Sequence, residues 1–328
     1  MSMNLISIFG ISGAIILAFA NGANDISKSV ATLVGSGESD YKKAVLLVSL
    51  AAAAGATIAS GWAVKMTLLF TKGMLSPQVA VNQLFALAVL GGAIGWVLFA
   101  SKTGLPVSTT HSIVGSVVLT GLYAFGFDNV LWAGVTKKIV LPLLISPIAA
   151  FGLGVVIFRF LYWLCERQYC INCHWAHWMS AISSGFARGL NDTPKIAALG
   201  MVFYHVIDPN VHIAPKWFFL ILALANAAGS VIMGLKVTET LAHQVTRMNH
   251  LEGFAANLAT SAMVMATAVK GFPVSTTHVS GSAIMGMGLQ KGGLNWKTAG
   301  GIVAAWLVTV PIAGAIGVGC YWLLNKIV

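Results

Sequence analysis

The hexapeptide Pro-Val-Ser-Thr-Thr-His occurs twice in the chain, at residues 106–111 and, 167 positions later, at residues 273–278. The same offset superimposes a second motif. In it, Asn24, Asp25 and Lys28 of the first half match Asn191, Asp192 and Lys195 of the second. Two unrelated motifs that share one offset indicate an internal duplication. Because both copies keep the same polar residues, these residues are the first candidates for a functional site.

The composition is that of a membrane protein. Charged residues make up 9% of the chain, against about 25% in a typical soluble domain, and the mean hydropathy is +0.84. The apolar stretches suit helical spans of about 17–25 residues rather than the strands of about ten residues in a membrane barrel. We therefore expect an all-α integral protein that crosses the cell membrane several times.

The formal net charge of +10 would suggest nucleic acid as a partner of a soluble protein. No nucleic-acid-binding signature accompanies it here, so we interpret the charge as basic loops that meet anionic membrane lipid, together with an anionic substrate. Lys42 and Lys43 lie in one such loop. The positive-inside tendency places that loop and the linker described next in the cytoplasm.

Apolar runs recur in the same order in both halves of the chain, and Asn82 matches Asn249 at the same offset. The most polar stretch lies between the halves. We therefore predict an N-terminal transmembrane repeat at residues 1–158, a polar linker at 159–178 and a C-terminal repeat at 179–328. If each repeat crosses the membrane an odd number of times, the second is inverted relative to the first.

The sequence Ala-Asn-Gly-Ala-Asn-Asp at residues 20–25 is expected to interrupt an apolar helix, because Gly22 relaxes the backbone while Asn24 and Asp25 supply oxygens. A carboxylate at the bilayer centre costs about 2.5–3.5 kcal/mol on insertion scales. The chain has only nine Asp and Glu residues, so Asp25 and Asp192 at equivalent positions favour a function. The alternative is a pair of structural helix breaks held by Asp–Lys pairing at i,i+3.

Each hexapeptide follows a glycine, Gly104 or Gly271, and its proline ends one helix or begins the next. The Ser or Thr residues after the proline are good N-caps for the apolar helix that follows. A helix that starts within the membrane offers free N–H groups and a positive dipole end to an anion. Interrupted helices at matching places of two repeats indicate the central site of a transporter.

The chain resembles the PiT family of inorganic phosphate transporters. The resemblance rests on Gly-Ala-Asn-Asp at residues 22–25, Gly-Leu-Asn-Asp at 189–192 and the two hexapeptides. The resemblance implies inverted repeats with broken helices and re-entrant hairpins, a homodimer, and transport of phosphate with Na⁺ or H⁺, without a cofactor. It also implies that the coupling cation is held by four residues: Asn24, Asp25, Asn191 and Asp192. The implied substrate-binding residues are Ser108, Thr109, Thr110, Ser275, Thr276, Thr277, Asn24 and Asn191.

The chain departs from the family pattern at two positions. Arg188 stands where the family commonly has histidine, and Lys28 stands where many members have a neutral residue. We add Arg188 to the substrate-binding candidates, since extra positive charge suits an oxyanion. Charge alone does not separate phosphate from sulfate, which some relatives carry, and the sequence does not choose between Na⁺ and H⁺.

The linker carries Cys170, Cys173, His174 and His177, which could attach a c-type haem, bind zinc or form a reduced segment without metal. A membrane enzyme or redox protein built on this segment is one rival to a transporter, and a passive anion channel is another. The chain has no nucleotide-binding Gly-Lys-Ser/Thr loop. A secondary transporter, not an enzyme, is the function that the sequence favours.

Overall fold

The computed structural model describes residues 5–60, 73–79, 81–167, 173–207, 214–272 and 274–327, and these residues are almost entirely helical. The all-α expectation is confirmed. The helices of nine residues or more in the described ranges are α1 (Leu5–Asp25), α2 (Ser27–Gly35), α3 (Tyr41–Ala59), α4 (Gln83–Thr103), α5 (Thr109–Phe125), α6 (Leu141–Glu166), α7 (Cys173–Ile207), α8 (Lys216–Met233), α9 (His250–Lys270), α10 (Thr276–Gln290) and α11 (Trp296–Ile327).

Six helical stretches of the described part are long and apolar enough to cross a membrane. Helix α7 is not one of them, although it is 35 residues long, because charged and amide side chains lie in its middle. Those side chains are buried against other helices instead of facing lipid. The candidate spans are Leu5–Gly35, Tyr41–Ala59, Gln83–Thr103, Leu144–Glu166, Lys216–Met233 and Trp296–Ile327.

Residues 106–108 and 274–275 of the hexapeptides lie between two helices, and the Thr-Thr-His residues begin the next helix. Helix α4 ends at Gly104, whose φ of 78° is left-handed, and α5 begins after Ser108, whose hydroxyl accepts the first-turn N–H of His111. The second copy is built the same way, with Gly271 at φ 76° and Ser275 as the cap of α10. A left-handed glycine ends a helix without strain, and a serine cap stabilises the next helix by about 1 kcal/mol. The expected helix starts at both hexapeptides are therefore present.

The interruption expected at residues 20–25 is not present, and in this respect the prediction is wrong. Helix α1 continues through Gly22 to Asp25, and the boundary with α2 falls at Ile26, whose φ of −59° and ψ of −36° are still helical. In the second copy α7 runs through Asn191 and Asp192 without a boundary.

Gly22 permits a close helix crossing rather than a break. A Cβ atom on Gly22 would lie 1.7 Å from the carbonyl oxygen of Asn226 in α8, and one on Gly189 in α7 would lie 1.9 Å from that of Ala52 in α3. Small residues allow helix backbones to approach closely in membranes. The crossings are reciprocal, since α1 packs on α8 and α7 packs on α3, so the first long helix of each half is held by the other half. The predicted repeat boundaries at residues 158 and 179 fall within α6 and α7 and stay a prediction.

Candidate substrate and ion site

The two hexapeptides meet in the interior of the protein. The hydroxyl of Thr277, in the first turn of α10, donates to the carbonyl oxygen of Val107, before α5, at 2.7 Å. The rings of His111 and His278 stack with centroids 4.3 Å apart. The N-terminal ends of α5 and α10 therefore converge, and their first-turn N–H groups bring two positive dipole ends to one region.

Lys28 joins the first half of the site to the second. Its ammonium lies 3.1 Å from Asp25 Oδ1, one turn earlier in the chain, and donates to the carbonyl of Val107 at 3.2 Å. It also donates to the hydroxyl of Thr277 at 2.7 Å, across 249 residues of sequence. The side chain is 1% exposed, so these contacts replace its hydration.

Lys195 makes the matching set of contacts in the second copy. Its ammonium lies 2.9 Å from Asp192 Oδ1 and 3.2 Å from the carbonyl oxygen of Val274. It donates to the hydroxyl of Thr110 in the first half at 2.8 Å. All these residues match those around Lys28 at an offset of 167, so each lysine binds a valine carbonyl of its own half and a threonine hydroxyl of the other.

One side chain breaks this symmetry. Arg188 Nη1 donates to Asp25 Oδ1 at 2.6 Å and Nε donates to the hydroxyl of Ser29 at 2.7 Å, whereas Asn21 occupies the equivalent position in the first half. Thr276 Oγ1 lies 2.7 Å from Asp25 Oδ1 and 3.3 Å from Asp192 Oδ2. Thr276 thus bridges the two carboxylates and brings them into one site.

The buried charges of the site do not cancel. Lys28, Lys195 and Arg188 carry three positive charges and Asp25 and Asp192 carry two negative ones, which leaves a formal charge of +1 in a region that is nearly inaccessible to water. Among the described residues, the buried atoms without a hydrogen-bond partner include Arg188 Nη2 and the hydroxyl of Thr109, together with the acceptors Asp25 Oδ2 and Asn191 Oδ1. Since unpaired buried donors are costly, excess positive charge and spare donors suit an anion.

The two asparagines hold the segments that precede α5 and α10. Asn24 Nδ2 donates to the carbonyl of Leu105 at 2.9 Å and to Ser101 Oγ at 3.1 Å, while its Oδ1 accepts the N–H of Val107 at 3.0 Å. Asn191 Nδ2 donates to the carbonyl of Val274 at 3.2 Å. Each Asn-Asp pair therefore fixes the segment before one helix start beside its carboxylate.

A family model described as "Phosphate transporter family" matches residues 21–173 and again residues 166–317. The chain belongs to the phosphate transporter family. It is 29% identical over 325 residues to a Bacillus subtilis protein named probable low-affinity inorganic phosphate transporter, with 96% of each chain covered. A Mycobacterium leprae protein of the same name is 28% identical over 337 residues, which cover 100% of this chain and 80% of that one.

The fold is similar to a solved structure described as the sodium-dependent phosphate transporter, with a TM-score of 0.88 over 99% of this chain and 100% of the other. At 24% identity this likeness concerns the fold. As a member of this family the chain is a multi-pass membrane transporter and not an enzyme, and its resemblance to the PiT family, inferred from the motifs, is confirmed.

Most of the predicted site residues of this family member lie together. Ser108 and Ser275 serve as helix caps, whereas Thr110, Thr276 and Thr277 contact the lysines or carboxylates described above. Sequence reasoning missed the lysine-to-threonine contacts between halves, although Lys28 and Lys195 were visible as a matched pair. It also missed the contact of Ser29 with Arg188, for which the sequence carries no signal.

The linker residues lie apart from this site. His174 Nδ1 is 2.6 Å from Glu38 Oε2, and the buried His177 pairs through Nε2 with the hydroxyl of Thr32 at 3.0 Å. Cys173 is a free cysteine, and Cys170 lies outside the described residues. The Cys/His set suggested by the sequence is therefore not seen as one cluster in the part of the chain that the structure describes.

Proposed function

We propose that this protein imports inorganic phosphate together with a coupling cation, and that the anion binds between the N-terminal ends of α5 and α10. The observation that carries the proposal is the joint contact of both hexapeptides with two buried cations, Lys28 and Lys195. The first-turn N–H groups, the hydroxyls of the hexapeptides and Arg188 supply donors from several directions. Backbone N–H groups at helix starts and arginine side chains are common ways to bind phosphate oxygens.

The carboxylates favour phosphate over sulfate. Phosphate at neutral pH keeps at least one O–H group, which donates to an acceptor such as Asp25 or Asp192, whereas sulfate has no proton to donate. A buried carboxylate facing a sulfate oxygen has no hydrogen bond and repels it. Sites built to bind a substrate O–H reject analogues that lack it by roughly 10⁴–10⁵-fold.

Charge balance requires a coupling cation. Moving a dianion into a cell with a negative-inside membrane potential costs about 2.3 kcal/mol per charge per 100 mV. In this proposal Asp25 and Asp192 hold the cation, with Asn24 and Asn191 positioning them. Because the site already has a formal charge of +1, the cation binds after or together with the anion. Phosphate should therefore raise the affinity for the cation, and the cation should raise the affinity for phosphate.

Uptake into proteoliposomes tests the proposed function. Radiolabelled phosphate should accumulate when an inward gradient of Na⁺ or of protons is imposed, and the two gradients are applied separately to identify the coupling ion. Unlabelled sulfate in 100-fold excess should leave phosphate uptake nearly unchanged. Equal uptake without any cation gradient would indicate a passive channel, and strong competition by sulfate would refute the selectivity argued from the carboxylates.

Thr109 offers a clean test of the anion site, because its hydroxyl has no partner among the described residues and its loss disturbs no internal bond. Replacing Thr109 by Val removes a donor with little change in volume. Loss of one hydrogen bond to a charged group costs about 1.5–3 kcal/mol, so phosphate affinity measured by calorimetry should fall about tenfold or more. Thr103→Val, at an exposed position outside the site, is the control. Unchanged affinity in Thr109→Val would place the anion elsewhere.

The repeats are inverted in this proposal, and their reciprocal packing supports it. Cysteines introduced at Ser39 and at Asn210 of a chain without native cysteines should react with impermeant reagents from opposite faces of the membrane; Asn210 lies outside the described residues. Labelling of both sites from one face would mean that the repeats are parallel. The homodimer implied by the resemblance stays a prediction.

A further inference from the structure

A group of two imidazoles and one carboxylate lies outside the polar site. Glu38 follows α2, His174 is in the first turn of α7, and His250 begins α9. Each residue offers one ligand atom, and these three atoms lie within 4.8 Å of one another. Three separate segments of the chain therefore bring metal-binding groups to one point.

The carboxylate is oriented towards both rings. Glu38 Oε1 accepts the indole N–H of Trp178 at 2.9 Å, which fixes the group and leaves Oε2 to face the imidazoles. His174 Nδ1 lies 2.6 Å and His250 Nδ1 lies 3.0 Å from Oε2. In metal sites, carboxylate ligands are commonly oriented by a hydrogen bond from a neighbouring side chain, as the indole of Trp178 orients Glu38 here.

The contact of His250 with the carboxylate is close but lacks hydrogen-bond geometry. His250 Nδ1 is buried and has no partner in hydrogen-bond geometry among the described residues, although the carboxylate oxygen is close. Two imidazole nitrogens from separate segments are therefore directed at one carboxylate oxygen. A shared cation explains why both rings and the carboxylate face the same point.

We infer that Glu38, His174 and His250 form a binding site for a divalent first-row transition metal, with Zn²⁺ as the reference ion. Imidazole nitrogen suits zinc, copper, iron and nickel, whereas magnesium and calcium prefer oxygen ligands. Two histidines and one carboxylate leave a fourth tetrahedral position for water. This ligand set differs from the one suggested by the linker sequence, and only His174 belongs to both.

The geometry needs a small adjustment to hold the ion. Ligand atoms at about 2.0–2.2 Å from a tetrahedral zinc are about 3.3–3.6 Å apart, which is more than the present nitrogen-to-oxygen distances of 2.6 and 3.0 Å. His174 is 65% exposed and can move outward. A groove of about 300 Å³ beside the site is lined by Glu38, Trp178 and His174, among others, and it gives the ion a route from the surface.

Calorimetry on the intact protein, purified in detergent without a polyhistidine tag, tests the site. We expect one Zn²⁺ per chain to bind, and no comparable heat with Mg²⁺. His174→Ala and Glu38→Gln should each weaken Zn²⁺ binding at least tenfold. Because His174 is exposed and glutamine still accepts the bond from Trp178, both variants should fold, which size-exclusion chromatography checks.

His243→Ala removes an exposed histidine outside the cluster and should bind Zn²⁺ like the unmodified protein. Absence of Zn²⁺ binding, or wild-type affinity in both His174→Ala and Glu38→Gln, would overturn the inference. An equal loss in His243→Ala would show that the ion binds to surface histidines in general and would overturn it as well. None of these outcomes depends on transport, so they test the metal site independently of the proposed function.

Discussion

Replacement of Asp25 or Asp192 by Asn should abolish cation-dependent phosphate uptake. Each substitution removes one of the two negative charges that bind the coupling cation in the proposed mechanism and leaves Lys28, Lys195 and Arg188 in excess. Loss of one partner from a buried charge pair costs about 3–5 kcal/mol. We therefore expect uptake in proteoliposomes to fall at least about 100-fold.

Asp192→Asn separates this effect from misfolding. Of the three cations, Asp192 pairs with Lys195, whereas Asp25 pairs with both Lys28 and Arg188. Asp192→Asn should therefore unfold less readily than Asp25→Asn. Asp40→Asn is the matched control, because Asp40 caps α3 at the surface and asparagine caps a helix equally well. A folded Asp192→Asn protein with undiminished sodium or proton dependence would exclude the carboxylate from coupling.

Gly22→Ala should prevent close packing of α1 on α8. Its Cβ would lie 1.7 Å from a main-chain oxygen of Asn226, and a main-chain atom cannot turn aside as a side chain does. The helices must separate. We expect this overpacking to destabilise the folded protein by about 3 kcal/mol or more, the upper end of the usual range. We expect the Tm of the detergent-purified protein to fall by about 5 °C or more, and Gly189→Ala to behave in the same way.

Gly152→Ala provides the comparison, since a Cβ at Gly152 in α6 meets no atom within 4 Å. Alanine there should leave the Tm nearly unchanged or raise it slightly, because alanine favours the helix over glycine by about 1 kcal/mol. If Gly22→Ala and Gly152→Ala gave the same Tm, the close crossing of α1 and α8 would be wrong.

The duplicated residues were enough to predict much of the fold. Asn82 and Asn249, which share the offset of the motifs, are both N-caps, of α4 and α9. The glycines before the hexapeptides end those same helices. Local rules determine such features, because a cap or a left-handed glycine acts on the backbone next to it.

Contacts between distant segments were not predictable in the same way. The polar residues in the middle of α7 divide its apolar sequence into two runs, although their burial against other helices lets the helix continue. Lys195 reaches Thr110 across 85 residues, and Glu38 meets His174 across 136. Hydropathy and motif spacing carry no information on these pairings, which depend on how the two halves pack.

The spacing of Asp25 and Lys28 has a consequence for biosynthesis. Both residues lie in one helical stretch, three positions apart, so they enter the bilayer as a neutral pair before any later helix has been made. Asp192 and Lys195 do the same in α7. A lone charge costs about 2.5–3.5 kcal/mol on insertion, and a counter-charge one turn away reduces that cost. In α7 a single carboxylate, Asp192, lies one turn from both Arg188 and Lys195, so one positive charge of this segment is left to pair with Asp25 of the earlier helix.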